Sequence, residues 1–221
     1  MKSENFSPRE ILSTREELLP REKSAPDWEI EEECFARGYT VIAGTDEAGR
    51  GPLAGHVFAA VCVLPRKILL PKLNDSKKLT AHIREKLYDA ITNAAVTYGI
   101  AFATPEEIDA LNILNAAQLA MCRAVAKLSP TPDMVLVDGN IVRGFDVPAM
   151  PVVGGDGKSM SIAAASVLAK VARDRYCLEL DELYPGYGFA KHKGYPTKEH
   201  YEAIKRLGPI DGVHRQSFRL L

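Results

Sequence analysis

Carboxylates dominate the residues that could do chemistry in this chain. Asp46 stands just after a strand-like run at 39–43, Asp138 follows the apolar run 134–137, and Asp156 lies in a glycine-rich turn after the run 150–153. Glu47 directly follows Asp46. Strand ends are where an α/β protein shows side chains to a ligand, because the sheet fixes their position and the loops leave them open. Carboxylates held a few ångströms apart repel unless they are protonated or bridged by a cation. If Asp46, Glu47, Asp138 and Asp156 converge, they make a divalent-cation site. Oxygen-only ligands, with no histidine or cysteine at comparable spacing, favour Mg²⁺ or Mn²⁺ over zinc. Two such ions can position a water for in-line attack on a phosphodiester and stabilise the leaving oxygen. Singly, each acid has an ordinary alternative, and Asp138-Gly139 alone reads as a turn. Neighbours on an extended strand point to opposite sides, so Asp46 and Glu47 share a site only if the chain bends, which the adjacent glycines allow.

Gly49-Arg50-Gly51 adds something a metal site lacks. Backbone N–H groups in a glycine-rich turn can approach a sugar or phosphate closely, and Arg50 offers a forked donor. The stretch 49–54 also fits the loose G-x-G-x-x-A dinucleotide fingerprint, but two acids upstream would repel a pyrophosphate and Pro52 has no N–H to offer. Gly157-Lys158-Ser159 looks like the end of a phosphate-binding loop, yet the glycine required five positions earlier is Val152. Basic and hydroxyl residues then gather as they would for a polyanion. Ser76 and Lys77 lie among Lys72 and Lys78, Lys158 and Ser159 follow Asp156, and Lys193 precedes Tyr195. Such lysines hold phosphates, while an aromatic ring stacks on a base or sugar.

The elements that must position these groups alternate in type. Strand signals at 39–43, 56–64, 98–102, 134–137 and 150–153 are interleaved with helical patterns at 80–95, 104–128 and 161–183, and a last short helix falls at 198–207. Thr104-Pro105-Glu106-Glu107 has the composition of a helix start. The order implies an α/β fold with a mixed central sheet flanked by helices. Residues 1–38, charged and carrying Pro8, Pro20 and Pro26, form an N-terminal extension to a catalytic domain at 39–221, with Trp28, Ile30 and Phe35 able to pin its last part to the body.

A chain of 221 residues, 46% hydrophobic and 26% charged, has the means for one full core. A net charge of -1 excludes a histone-like binder that works by bulk charge, although a local basic strip would suffice for a nucleic-acid enzyme. No apolar run of about 18 residues and no signal-peptide core is present, so a cytoplasmic protein without a membrane partner is expected. The four cysteines form no CxxC pair and are expected as thiols with no catalytic role. The five histidines are scattered among loops and define no pH switch.

These residues resemble type 2 ribonuclease H (ribonuclease HII). The similar segments are Gly44-Thr45-Asp46-Glu47-Ala48-Gly49-Arg50-Gly51-Pro52-Leu53-Ala54-Gly55, Asn74-Asp75-Ser76-Lys77-Lys78-Leu79, Val137-Asp138-Gly139 and Gly155-Asp156 with the helix after it. His192-Lys193-Gly194-Tyr195 with Thr197 and His200, and His214-Arg215 with Ser217-Phe218, complete the pattern. The resemblance implies an RNase H-like fold with a small helical C-terminal portion. It also implies an endonuclease that cleaves RNA in RNA/DNA hybrids and incises 5′ of single ribonucleotides in duplex DNA, as ribonucleotide excision repair requires, leaving 3′-hydroxyl and 5′-phosphate ends. By the same resemblance Asp46, Glu47, Asp138 and Asp156 are the ligands of two Mg²⁺ or Mn²⁺ ions. Gly49, Arg50 and Gly51 sense the 2′-hydroxyl, the only handle that separates the two backbones at one nucleotide. Tyr195 stacks on the deoxyribose beyond it. Ser76, Lys77, Lys158, Ser159 and Lys193 are expected as further substrate contacts, and a monomer is expected. One departure stands out: His56 occupies a position where the family usually has proline, and opening a strand it is expected to be structural. The rival readings are a type 3 enzyme acting mainly on long hybrids and a silent nucleic-acid binding module.

Overall fold

Five strands form a single mixed sheet in the order β3-β2-β1-β4-β5. They are β1 (Ile42–Ala48), β2 (Val57–Val63), β3 (Thr97–Ala103), β4 (Met134–Asp138) and β5 (Ala149–Val152). The first three are antiparallel neighbours, whereas β4 and β5 run parallel to β1. The computed structural model describes residues 25–220; the expectation for 1–24 lies outside them.

Every residue of β2 is buried, as its uninterrupted apolar sequence requires of a strand covered on both faces. One face packs on α4 (Ile113–Val125), through Ala43, Val61, Val135 and Val137 against Ala117, Met121 and Ala124. The other is crossed by the long α5 (Met160–Leu183) with α2 (Ala81–Ala94) beside it, and here Ala60 and Cys62 meet Ala164, Leu168, Leu87 and Ile91. Alanines at the start of α5 keep that helix close to the sheet. Gly44 carries the logic further, since a β-carbon on it would lie 2.2 Å from the Ser161 carbonyl carbon.

That contact corrects the sequence reading of the first strand. The strand expected at 39–43, with a bend allowed after it, is instead β1 at Ile42–Ala48: Gly44 is a strand glycine selected by close helix packing, and the strand runs on through Asp46 and Glu47. The helix expected over 104–128 is two helices, α3 (Pro105–Leu111) and α4, because Asn112 has φ 66° and its side chain accepts from the N–H groups of Leu114 and Asn115. The Thr104 and Glu107 capping box is present. Thr80 caps α2, as expected.

At the C-terminal end, α6 (Phe189–His192) and α7 (Lys198–Leu207) pack with the end of α5 around Phe189, Tyr187 and Ile204. At the other end α1 (Glu29–Ala36) is seated on the body, where Glu31 is fully buried and accepts from Ser159 Oγ at 2.6 Å and Ser161 N at 2.9 Å. All four cysteines are free thiols. Among the described residues no helix is long and apolar enough to cross a membrane.

Candidate metal centre and nucleic-acid interface

Parallel pairing of Thr45 with Val137 sets the next residues, Asp46 and Asp138, side by side on the α5 face of the sheet. Asp156 joins them from the 3-10 turn Gly155–Gly157 that leads from β5 into α5. One carboxylate oxygen from each of Asp46, Asp138 and Asp156 lies within 4.8 Å of the others. The turn is locked to the strand, for Asp138 Oδ1 accepts from Gly155 N at 2.7 Å. Asp46 Oδ1 accepts from Glu47 N at 2.7 Å.

The electrostatics are those of a site built for a cation. Burial, reinforced by the charges of Glu47 and Asp138, pushes the Asp46 carboxyl well above the usual carboxylate range. Burial and the charge of Asp156 raise Asp138 in the same sense. Lys77 reaches across with its Nζ 3.3 Å from Asp156 Oδ2. Burial opposes its charge, yet Asp46 and Asp156 hold the ammonium above its ordinary pKa. One lysine cannot neutralise three acids, and an all-oxygen donor set of this size fits Mg²⁺ or Mn²⁺.

Glu47 is placed differently. Because β1 continues without a bend, its side chain emerges on the α4 face, outside the three-aspartate group, and accepts from Arg50 Nη1 at 3.1 Å. It still shares a small cleft with Asp138, lined by Leu114, Gln118 and Asn140. Burial raises its pKa against the pull of Arg50.

Two hydroxyls expected at the substrate surface sit in the interior. Ser159 is fully buried; its Oγ donates to Glu31 and caps α5 by accepting from Ile162 N. Ser76 is 3% exposed, and its Oγ lies 2.9 Å from that of Ser166, which in turn hydrogen-bonds Asp46. Ser76 thus stands behind the acidic cluster. Lys158 is exposed, with its Nζ donating to the Val153 carbonyl at 2.7 Å.

The Gly49-Arg50-Gly51 turn and Tyr195 form one unit, although they lie near opposite ends of the catalytic domain's sequence. A β-carbon on Gly51 would lie 3.4 Å from the Tyr195 ring, which is 43% exposed. Leu53 N donates to Gly194 O at 2.8 Å, tying the two segments together. Two buried arginines underlie them: Arg215, which belongs to the closing family pattern but has no expected role from sequence, and Arg173, whose sequence context does not distinguish it from a surface arginine. Arg215 makes five hydrogen bonds to the carbonyls of Gly49, Arg50, Pro52 and Gly55. Burial and the charge of Arg173 lower its pKa to about 9, which leaves it a cation at neutral pH. Arg173 donates to Lys193 O at 2.9 Å, and its guanidinium carbon is 5.8 Å from the centre of the Tyr195 ring.

Arg173 also explains Gly49. The turn has φ 103° there, and a β-carbon would lie 2.1 Å from Arg173 Nε. Gly49→Ala is therefore expected to cost about 1–3 kcal/mol in backbone strain alone and to displace Arg173 from Lys193. Gly51→Ala, which meets only an ordinary contact, is expected to be far milder in urea denaturation; equal midpoints for the two variants would refute the steric argument.

His56 is clamped between the rings of Phe102 and Tyr176, with centroids at 4.4 and 4.6 Å. Burial holds its pKa down at about 4, as for a packed neutral ring remote from the aspartates. A structural role agrees with this.

Comparison with known proteins gives one answer. The family model described as Ribonuclease HII matches residues 43–221. A ribonuclease HII of Acetivibrio thermocellus is 52% identical over 188 residues, spanning 85% of this chain and 73% of that protein. One from Laribacter hongkongensis is 56% identical over 179 residues, 80% of this chain and 90% of the relative. The crystal structure of the ribonuclease H2 from Pyrococcus horikoshii superposes with a TM-score of 0.68 at 28% identity, covering 82% of this chain and 95% of that one. With an RNase H-like mixed sheet, three aspartates gathered at the end of its central strands and this match over most of its length, the chain belongs to the ribonuclease HII family.

Proposed function

We propose that this endonuclease cleaves the RNA strand of RNA/DNA hybrids and incises 5′ of single ribonucleotides in duplex DNA, leaving 3′-hydroxyl and 5′-phosphate ends. The observation that carries the reading is the juxtaposition of two unlike parts. Three aspartates able to hold divalent cations gather on one face of the sheet beside β1, and a glycine turn braced by buried arginines follows directly from that strand. Two bound Mg²⁺ or Mn²⁺ ions would supply an activated water and charge neutralisation at the departing oxygen. Asp46, Asp138 and Asp156 would hold them, with Glu47 approaching beside Asp138 from the opposite face. Lys77 and Lys193 would meet backbone phosphates. The Gly49-Arg50-Gly51 turn would read the 2′-hydroxyl while the exposed Tyr195 ring stacks on the next sugar.

The test is incision of a duplex bearing one ribonucleotide, run beside an all-RNA/DNA hybrid, with and without Mg²⁺ or Mn²⁺. Cation-dependent cutting of both is expected. A chain that binds both and cuts neither would be a silent binding module, and one that cuts only the long hybrid would act like a type 3 enzyme. Tyr195→Ala is expected to lower kcat/KM on the single-ribonucleotide duplex by about ten-fold, the worth of one stacking contact, with cation dependence retained. Unaltered rates on both substrates would remove the stacking role.

A further inference from the structure

Three histidines that are dispersed in sequence meet beneath Tyr195. His192, His200 and His214 are 7%, 0% and 1% exposed, and the His192 and His200 rings stack with centroids 4.3 Å apart. Each has a backbone partner that fixes its protonation. Ile210 N donates to His214 Nδ1 at 2.8 Å, so the His214 proton is on Nε2. That nitrogen faces His200 Nε2 at 3.2 Å, which must then accept. The remaining His200 proton is on Nδ1, directed at the Tyr195 carbonyl 3.0 Å away. Independently, Gly194 N donates to His192 Nδ1 at 3.1 Å, and His192 Nε2 donates to Tyr187 O at 2.7 Å.

All three rings are neutral in this arrangement, and only one set of tautomers satisfies every bond. The rings facing them are Phe189, Tyr187 and one another, and the nearby Glu199 carboxylate, which lies within electrostatic reach of His192, is paired with Lys191. Burial lowers the pKa of His200 to about 4 and shifts His214 downward as well. A proton added to His200 Nε2 would set two N–H groups against each other.

We propose that His200 and His214 are positioning residues, a two-ring relay that runs from the Ile210 amide to the Tyr195 carbonyl and fixes where the Tyr195 ring stands against Gly51. The relay thereby sets the preference for a single embedded ribonucleotide. This rests on the reading of Tyr195 as a substrate contact, and the test separates the two ideas.

The first measurement is the ring nitrogen and proton correlation spectrum of the wild-type chain at neutral pH. The expected pattern is a proton on Nδ1 of His200 and on Nε2 of His192 and His214; an Nε2 proton on His200, or a charged ring, overturns the relay. The second compares His200→Asn, whose amide can stand in for Nδ1 and keep the bond to Tyr195, with His200→Gln, whose amide falls near Nε2 and leaves that carbonyl unpaired. For the ratio of kcat/KM on the single-ribonucleotide duplex to that on the hybrid, the Asn variant is expected to stay within about three-fold of wild type. The Gln variant is expected to lose about ten-fold, the rate equivalent of one hydrogen bond. Equal ratios for the two variants refute the positioning role. If Tyr195→Ala leaves the ratio at the wild-type value, the reading of Tyr195 fails first, whatever the tautomers show.

Discussion

Asp138→Asn is expected to lower turnover about a thousand-fold while making the cation-free protein more stable. Loss of activity follows from removing a ligand of the only described three-carboxylate group, since a correctly held divalent cation contributes several kcal/mol to the barrier. The gain in stability has a separate origin. Burial and the neighbouring Asp156 charge already disfavour the ionised form of Asp138, so an isosteric neutral group relieves repulsion that the fold otherwise carries. Asparagine keeps an oxygen for the Gly155 N–H, and the turn that carries Asp156 need not move. Each 1 kcal/mol relieved is worth about 2–4 °C in a domain of this size. Melts of both proteins with and without Mg²⁺ or Mn²⁺ check the pair of effects: the wild type should gain melting temperature on adding cation, and the variant should lose most of that gain. A variant that melts lower than wild type without cation, or turns over near the wild-type rate, would contradict the assignment.

Arg215→Met is expected to destabilise the protein by about 3–5 kcal/mol, because charge-assisted bonds to four carbonyls vanish together and leave buried acceptors unpaired. The urea midpoint should fall with little change in slope. Arg215→Lys should recover only part of the loss. A compact ammonium with three donors cannot reproduce a planar fork that reaches Gly49, Arg50, Pro52 and Gly55 at once. A midpoint restored fully by lysine would mean that charge alone, and not geometry, holds the turn.

How much of this was legible beforehand depends on what each residue's neighbours reveal. Asp46, Asp138 and Asp156 were readable because strand ends announce themselves by an apolar run stopping at a polar residue, and the helices at 81–94 and 198–207 carried plain caps and periodicity. The face of Glu47 was not readable. It depends on whether Gly44 turns the chain or sits under a helix, and only the approach of Ser161 decides that. Hydroxyls were equally ambiguous: Ser159 and Ser76 read as surface contacts beside lysines, while the fold uses one as a helix cap and the other to support Asp46 through Ser166. Arg173, and the roles of Arg215 and of the histidine group, escaped for another reason. Their partners are largely backbone atoms, far away in sequence for the arginines and within five residues for the histidines, and a backbone atom leaves no trace in residue type. His192, His200 and His214 looked scattered because chain distance is no guide to proximity in the C-terminal lobe.

The seating of α1 bears on where this catalytic unit begins. The family model begins at residue 43, downstream of α1 and of Asp27, although relatives align over as many as 200 residues of this chain. Asp27 pairs with the residues that follow the turn of Asp156, donating to Lys158 O and accepting from Met160 N, while Glu31 fastens Ser159 and Ser161. A chain begun at 43 would contain all three aspartates and nearly the whole sheet, yet the first turn of α5 would be left without its outer buttress. The family model and the mechanical support draw the border of this enzyme at different residues, and the shorter border leaves one wall of the cation site unbraced.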